Sequence, residues 1–200
     1  DLRMTSEIEA APDPEIEGVK NIHLGIIDEE ALEEKRQSLS PEDLEGLDLT
    51  NTLDRLKMAS KLGIVGDQMY VNFLSGDAGK AGYRQLFQEL LELPEGGAVL
   101  FHCTQGKDRT GCAAMLILSA LDVDEETILM DYMLTNEYNA ALIAGEKQML
   151  TGRGVPEDRL DDYLMAMDQV SLETMTNALD WLRENYGSVN GYLEQELGIG

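Results

Sequence analysis

The sequence predicts an α/β fold in which a small, mostly parallel central sheet is flanked by helices, with a helix-rich C-terminal half. Residues 21–27 alternate between polar and apolar side chains, which is typical of a half-buried strand. Residues 98–101 form a short apolar run after a Pro-Glu-Gly-Gly turn, which favours a buried strand. Almost every stretch after Gly111 shows apolar residues at helical spacing. Two short strands among many helices indicate a mixed fold with a small sheet.

The length and composition are those of one folded domain, covering residues 1–200. The chain has 200 residues, of which 43% are hydrophobic, and this is enough for a sizeable core. Its formal net charge of −24 argues against nucleic-acid binding, which requires clustered lysine and arginine. No apolar run approaches the roughly 20 residues of a membrane-spanning helix, so we expect no transmembrane segment. The sequence does not indicate a cellular compartment.

Helical periodicity and turn residues predict where the helices and loops lie in the rest of the chain. Asp124 is a good candidate for a helix N-cap, and Gly187 stands where a C-cap glycine belongs. Residues 38–52 are predicted to be loop with short helical turns. The predicted helices are 29–37, 54–73 with a break at 63–66, 83–93, 110–121, 124–137, 138–150, 157–168, 171–186 and 189–197.

The decapeptide HCTQGKDRTG, residues 102–111, concentrates reactive side chains between the second predicted strand and the helix after it. Cys103 lies near the N-terminus of that helix, where unpaired amides and the helix dipole favour a thiolate. The backbone of 104–109 is long enough to turn its amides around an anion, and Gly106 permits that turn without a Cβ clash. Arg109 adds a planar fork matched to two phosphate oxygens. The segment therefore predicts a nucleophile inside an oxyanion cradle, suited to attack phosphorus.

Two residues just inside the helix, Thr110 and Cys112, have different predicted roles. The Thr110 hydroxyl can donate a hydrogen bond to the thiolate. Cys112 is flanked by alanines and is expected to be a small buried hydrophobe. Because one cysteine ends a predicted strand and the other lies within a helix, we expect no disulfide between Cys103 and Cys112. The predicted chemistry needs no metal and no organic cofactor.

The decapeptide resembles the active-site loop of cysteine-dependent protein tyrosine phosphatases. Its GKDRTG part is similar to a bacterial and fungal group of atypical tyrosine and lipid phosphatases. DLRMTSE (1–7), DYMLTNEY (131–138) and YGSVNGYLEQELGI (186–199) also resemble that group, although the similarity is thin between 30 and 80. The resemblance implies a tyrosine-phosphatase-like fold. It also implies a family region with strands before DLR that this sequence lacks, so we expect a fragment or processed product that is not a stable enzyme alone.

The resemblance implies a role for each residue of the loop. Cys103 would be the nucleophile, Arg109 would clamp the phosphate, and His102 would orient the loop and help to keep the thiolate charged. Lys107 would supply positive charge for a second anionic group, as in phosphoinositide-cleaving relatives. The phosphoryl group, or a phosphate or sulfate ion in its place, would be bound by Thr104, Gln105, Gly106, Lys107, Asp108 and Arg109.

Two aspartates are candidates for the general acid that protonates the leaving oxygen and later activates water. The family has an aspartate after a strand, and Asp28 occupies that place in NIHLGIID. Asp108, inside the loop, is the alternative. We favour Asp28, because Asp108 adjoins Arg109 and is expected mainly to position it.

Other polar residues are given structural interpretations. Arg3 and Glu7 are expected to form a fold-stabilising pair. Glu29 and Glu30 are expected to be solvated charges at the start of a helix. The methionine-rich helices after residue 138 fit either an ordinary core or a cover over the site.

The sequence therefore predicts a phosphomonoester hydrolase that works through a cysteinyl-phosphate, with a phosphotyrosine protein as the leading substrate. A phosphoinositide, or both classes, is the second hypothesis because of Lys107. A catalytically inactive phosphate-binding module would keep the loop but lack the nucleophile or the acid, and both are present. The GKDRTG segment disfavours a sulfur transferase. A cysteine peptidase would need a histidine base, for which His23 is the free candidate.

Overall fold

The structure is a computed structural model that describes residues 1–49 and 51–200. The described chain is almost entirely helices joined by turns. The helices are α1 (Thr5–Ala10), α2 (Glu29–Ser38), α3 (Pro41–Leu44), α4 (Thr52–Leu62), α5 (Met69–Ser75), α6 (Asp77–Leu91), α7 (Arg109–Ala120), α8 (Glu125–Tyr138), α9 (Ala140–Gly152), α10 (Leu160–Ala166), α11 (Leu172–Tyr186) and α12 (Val189–Tyr192), with a 3₁₀ turn at Glu157–Arg159 and a π turn at Leu193–Leu197.

The predicted α/β fold with a small parallel sheet is wrong, because residues 1–49 and 51–200 contain no β-strand. Both predicted strands are extended chain that makes only a few backbone hydrogen bonds. The Asp1 amine donates to Ile22 O at 2.7 Å, and the Leu24 amide donates to Asp1 O at 2.8 Å. The Leu2 amide donates to His102 O at 2.8 Å. These isolated bonds do not build a ladder, and Leu100, in the second predicted strand, is 83% exposed.

The predicted helices are largely confirmed, together with their caps. The Asp124 carboxylate accepts a hydrogen bond from the Thr127 amide at 2.9 Å and begins α8. Gly187 has a φ of +78°, the left-handed conformation of a C-cap glycine, and ends α11. The stretch predicted to be loop with short helical turns, residues 38–52, contains the short helix α3, while residue 50 lies outside the described residues.

The main hydrophobic core surrounds α7, the helix that follows the cysteine segment. Three of its side chains, Cys112, Ala113 and Leu116, are completely buried. The Tyr83 hydroxyl of α6 donates to the carbonyl of Arg109 at 3.2 Å. The core thus fixes the N-terminus of α7, and with it the position of the preceding loop.

A smaller hydrophobic cluster joins α9 and α10. Its buried members are Leu150, Val155, Leu160 and Leu164. Packing of these two helices places the end of α10 beside the loop that precedes α7, as its contacts below show. No described helix is long and apolar enough to cross a membrane.

Candidate active site

The segment Cys103–Arg109, called the cysteine loop below, connects the extended chain to α7. Gly106 has a φ of +71°, which confirms that the loop turns through the left-handed region at this glycine. In the described part of the chain, the amides of residues 104–110 donate to no backbone or side-chain oxygen. A row of unpaired amides at a helix N-terminus binds anions well. The loop backbone therefore has the donors that an oxyanion requires.

Cys103 is a buried free thiol whose surroundings favour the thiolate. Burial opposes its ionisation, but hydrogen bonding from the hydroxyl and amide of Thr110, the charge of Arg109 and the Gln105 amide outweigh burial and lower its pKa. Apart from the Cys103 sulfur, the buried Thr110 hydroxyl has no hydrogen-bond partner among the described residues, so an ionised sulfur gives it an acceptor. Cys112 differs, because burial raises the pKa of its thiol. Both cysteines are free, as expected.

Arg109 is held by Glu7, which was predicted to pair with Arg3. Its Nη1 and Nη2 atoms donate to the two carboxylate oxygens of Glu7 at 2.5 and 2.9 Å. This bidentate contact uses one edge of the guanidinium and leaves Nε–H for a further acceptor. Arg3, the partner expected for Glu7, instead contacts Asp1 at 2.8 Å and Asp13 at 2.9 Å, so the predicted Arg3–Glu7 pair is wrong.

Glu7 is part of a polar network that reaches across the loop. Burial opposes its charge, yet hydrogen bonds from Arg109, Thr104 and the Met4 amide lower its pKa to about 2. The Thr104 hydroxyl donates to Glu7 Oε1 at 2.5 Å. Glu29 in turn accepts the Thr5 amide at 2.6 Å and so anchors the start of α1, which differs from the solvated role expected for it. Glu7 is the functional residue that sequence analysis missed.

His102 precedes Cys103 and lies in a separate cluster of polar side chains. Its Nε2 atom lies 2.9 Å from Asp13 Oδ2, and its Nδ1 atom lies 3.1 Å from the Cys103 carbonyl oxygen. This arrangement supports its expected orienting role. The potential ligand atoms of Asp1, Asp13 and His102 lie within 4.8 Å of one another, but the Arg3 guanidinium contacts both carboxylates, so a cation would compete with it.

The side chains of Lys107 and Gln105 bind the end of α10. The Lys107 ammonium donates to the carbonyls of Met165 and Gln169 at 2.7 and 3.0 Å, and only 2% of this residue is exposed. Gln105 Nε2 donates to Asp168 Oδ1 at 2.6 Å. In this structure Lys107 therefore contributes hydrogen bonds to the fold, while its expected contact with a second anionic group stays a prediction.

Asp108 lines a cavity of about 250 Å³ next to the loop. One carboxylate oxygen accepts the Tyr70 hydroxyl at 2.8 Å, and the other lies 3.4 Å from Lys107 Nζ. The Tyr70 and Tyr132 hydroxyls lie 2.7 Å apart and continue the network. The cavity is also lined by Tyr132 and Val170. The carboxyl is thus oriented by neighbours beside a space that can hold a small organic group.

Asp28, the favoured general acid, is placed elsewhere. It is the N-cap of α2, and its carboxylate accepts the Ala31 amide at 2.9 Å. The side chain is exposed, and the described structure gives it no hydrogen bond or ion pair with the cysteine loop. The structure brings together Cys103, Arg109 and Asp108 in one loop but does not join Asp28 to them.

Comparisons with known proteins give the family. The sequence model described as the tyrosine phosphatase family matches residues 1–200. A Cupriavidus necator protein whose name places it among tyrosine-protein phosphatases is 36% identical over 118 residues, 58% of this chain and 42% of the relative. The triple specificity protein phosphatase PtpB of Mycobacterium tuberculosis is 34% identical over 126 residues, 58% of this chain and 44% of the relative.

A third similar protein is a tyrosine-protein phosphatase of Nostoc commune. It is 29% identical over 153 residues, which cover 75% of this chain and 50% of the relative. The matched part of this chain spans half or less of each relative. The family model nevertheless matches all 200 residues. The resemblance carried by the decapeptide is thereby confirmed, and the chain belongs to the tyrosine phosphatase family.

Proposed function

We propose that this protein hydrolyses phosphomonoesters through a phosphocysteine at Cys103. The observation that carries the proposal is a thiol of lowered pKa at the start of a loop whose amides donate to no oxygen among the described residues, with Arg109 beside it. The thiolate attacks phosphorus, the bond between phosphorus and the leaving oxygen breaks, and that oxygen takes a proton from a general acid. Water then attacks the phosphocysteine and gives a proton to the same carboxylate, while the S–P bond breaks and releases inorganic phosphate and the Cys103 thiolate.

The loop geometry supports specific roles for the loop residues. The amides of Thr104 through Arg109 would bind the phosphoryl oxygens, and the Arg109 guanidinium would stabilise the charge that grows in the transition state. Glu7 holds the guanidinium plane, so that the Nε edge stays available. The Thr110 hydroxyl would stabilise the thiolate as attacking and leaving group.

We propose Asp108 as the general acid, in place of Asp28. Asp108 belongs to the same loop as the proposed nucleophile, and it lines a cavity that can hold a small organic group. Asp28 is engaged in capping α2. The two assignments are separated by the variants Asp108→Asn and Asp28→Asn, because loss of the acid lowers turnover by about 10²–10⁴-fold.

A phosphotyrosine protein is the proposed substrate. The name of the Nostoc relative supports this choice. The mycobacterial relative is named for triple specificity, so wider acceptance of phosphomonoesters is the second candidate. The net charge of −24 weakens approach to an anionic lipid surface and therefore favours a soluble phosphoinositide over a membrane-bound one as the probe.

The test is phosphate release by the full chain from a phosphotyrosine peptide and from a soluble phosphoinositide. Cys103→Ser is expected to abolish release from both substrates. Cys112→Ala is the matched control, because Cys112 is buried away from solvent. Alanine is a similarly small side chain and can fill the same place in the core. The ratio of the two rates assigns the substrate class. A folded wild-type protein that releases phosphate from neither substrate would overturn the proposal.

A further inference from the structure

The cysteine loop is tied to one short segment, residues 165–170, called the connection segment below because it joins α10 to α11. Gln105 donates to the Asp168 carboxylate at 2.6 Å, and Lys107 donates to two carbonyls of the segment. Gln105 and Lys107 therefore bind the same segment, Gln105 through the Asp168 side chain and Lys107 through two backbone carbonyls. The position of the connection segment and the conformation of the loop depend on each other.

The connection segment is also bound by Asn136 of α8 and by Asn139, which follows the end of that helix. Asn139 Nδ2 donates to the Asp168 carbonyl at 2.9 Å. Asn136 exchanges two hydrogen bonds with Val170, at 2.8 and 2.9 Å. These contacts use the backbone of the segment only. The Asp168 carboxylate is left to bind Gln105 and to face α9.

Glu146 of α9 faces the same carboxylate. The Oε2 atom of Glu146 is buried and accepts no hydrogen bond from the described residues. Burial, a hydrogen bond with Asp168 and the charge of Asp168 raise the pKa of Glu146 to about 7, while Lys107 acts in the opposite direction. Asp168 from the connection segment and Lys107 from the cysteine loop are the charged groups that act on it. A single proton between the two carboxyl groups satisfies the orphan oxygen.

We propose that Glu146 and Asp168 share one proton, and that this carboxyl–carboxylate pair positions Gln105 and thereby the phosphate-binding conformation of the cysteine loop. Both residues are positioning residues, since neither contacts the reacting atoms. With the proton present, Asp168 is free to hold Gln105. When the proton leaves, two adjacent negative charges repel each other, and Asp168 and Lys107 must rearrange. The consequence for catalysis rests on the proposed phosphatase function, whereas the consequence for the loop does not.

The pair makes the loop sensitive to pH in a defined direction. Below neutral pH the pair keeps its proton, and the hydrogen bond between Gln105 and Asp168 holds the cysteine loop against the connection segment. As the pH rises through about 7, Glu146 loses its proton and the contact between Gln105 and the connection segment weakens. This change would lower anion affinity on the alkaline side, separately from the ionisation of the nucleophile.

The first experiment measures sulfate binding and amide hydrogen exchange of the full chain at pH 6 and pH 8. Sulfate is the probe, because it does not titrate in this range. Cys103→Ser is the background, because it removes the titration of the thiol and requires no activity. We expect exchange in 104–110 and 165–170, corrected for its intrinsic pH dependence, to be about tenfold faster at pH 8, with weaker sulfate binding. Glu146→Gln keeps a donor for Asp168 and is expected to remove this difference.

Two further variants control this result. Asp168→Asn keeps an oxygen for Gln105 but removes one charge, so it is also expected to abolish the pH difference. Glu184→Gln changes an exposed glutamate on α11 and is expected to retain it. The same pH difference in Glu146→Gln as in the background would overturn the proposal. The absence of any difference between pH 6 and pH 8 in the Cys103→Ser background would also overturn the proposal.

The second experiment is the pH profile of kcat/KM for phosphate release by wild type, Glu146→Gln and Glu184→Gln. In Glu146→Gln we expect the alkaline decline to move to higher pH, and in Glu184→Gln we expect no change. An inactive wild type that still shows the pH-dependent exchange would refute the proposed function and support the proton pair. If the wild type is active, and Glu146→Gln changes neither the pH profile of kcat/KM nor the pH dependence of the exchange, the proton pair alone is refuted.

Discussion

Substitution of Glu7 by glutamine tests how Arg109, the proposed phosphate-binding arginine, is held. Glu7 contacts both terminal nitrogens of Arg109 at 2.5 and 2.9 Å and also accepts the Met4 amide at 2.8 Å. Glutamine can keep the bond to Met4, which caps α1. It cannot accept two charge-assisted bonds from one guanidinium. The substitution therefore removes the ionic contact while the local helix is retained.

The magnitude follows from the pKa of Glu7. Its fall from 4.5 to about 2 corresponds to about 3.5 kcal/mol of stability at neutral pH, at about 1.4 kcal/mol per pKa unit. Since the side chain is 23% exposed, solvent reduces this value, and we expect Glu7→Gln to lower the free energy of unfolding by about 2 kcal/mol at pH 7. A lowered carboxyl pKa stabilises the fold above about pH 4.5, and this stability is lost as the pH falls through 2. The difference in the free energy of unfolding between wild type and Glu7→Gln should therefore shrink as the pH falls from 4.5 to 2.

The assay combines urea unfolding at several pH values with kcat/KM for phosphate release. Without Glu7 the guanidinium loses its orientation, so we expect kcat/KM to fall at least tenfold. Glu9→Gln is the matched control, because Glu9 is an exposed residue of the same helix α1. Equal stability and activity of Glu7→Gln and Glu9→Gln at pH 7 would refute the reasoning.

Three further predictions concern neighbours of the loop. Thr110→Val removes the hydroxyl that lowers the pKa of the nucleophilic thiol, so alkylation by iodoacetamide should require a higher pH. Lys107→Met leaves two carbonyls without their donor and should lower the free energy of unfolding by about 2–3 kcal/mol, measured in urea. Tyr70→Phe removes a hydrogen bond to Asp108 and should slow phosphate release several-fold, whereas Tyr132→Phe keeps that bond and should slow it less.

The helices could be predicted because their signals are local. Apolar periodicity identified α7 through α11 to within a few residues and placed the start of α6 six residues too late. The caps at Asp124 and Gly187 depend on side chains a few positions away. The cysteine loop could be predicted for the same reason. Its nucleophile, its left-handed Gly106 and its arginine all lie within one decapeptide.

The sheet and the partners of the loop could not be predicted, because they depend on distant residues. The run 98–101 is apolar enough for a strand, but a strand also needs neighbours, and its segment makes only isolated backbone bonds. Glu7 is 102 positions from Arg109, and no local pattern connects them. The stretch DLRMTSE resembles the family, and this resemblance was the one sign in the sequence that Glu7 belongs to the site. The prediction that Glu7 pairs with nearby Arg3 left the Arg109 guanidinium without a partner. Asp28 likewise had a simpler local role as a helix cap.

The most direct test of the account is to trap the covalent intermediate. The Asp108→Asn variant, which should slow hydrolysis of the phosphocysteine, is mixed with a phosphotyrosine peptide, quenched in acid within one turnover and analysed by peptide mass spectrometry. The account predicts a phosphoryl group on the peptide that contains Cys103, and none after Cys103→Ser. Turnover that proceeds with no phosphoryl group on Cys103, or that survives Cys103→Ser, would contradict it.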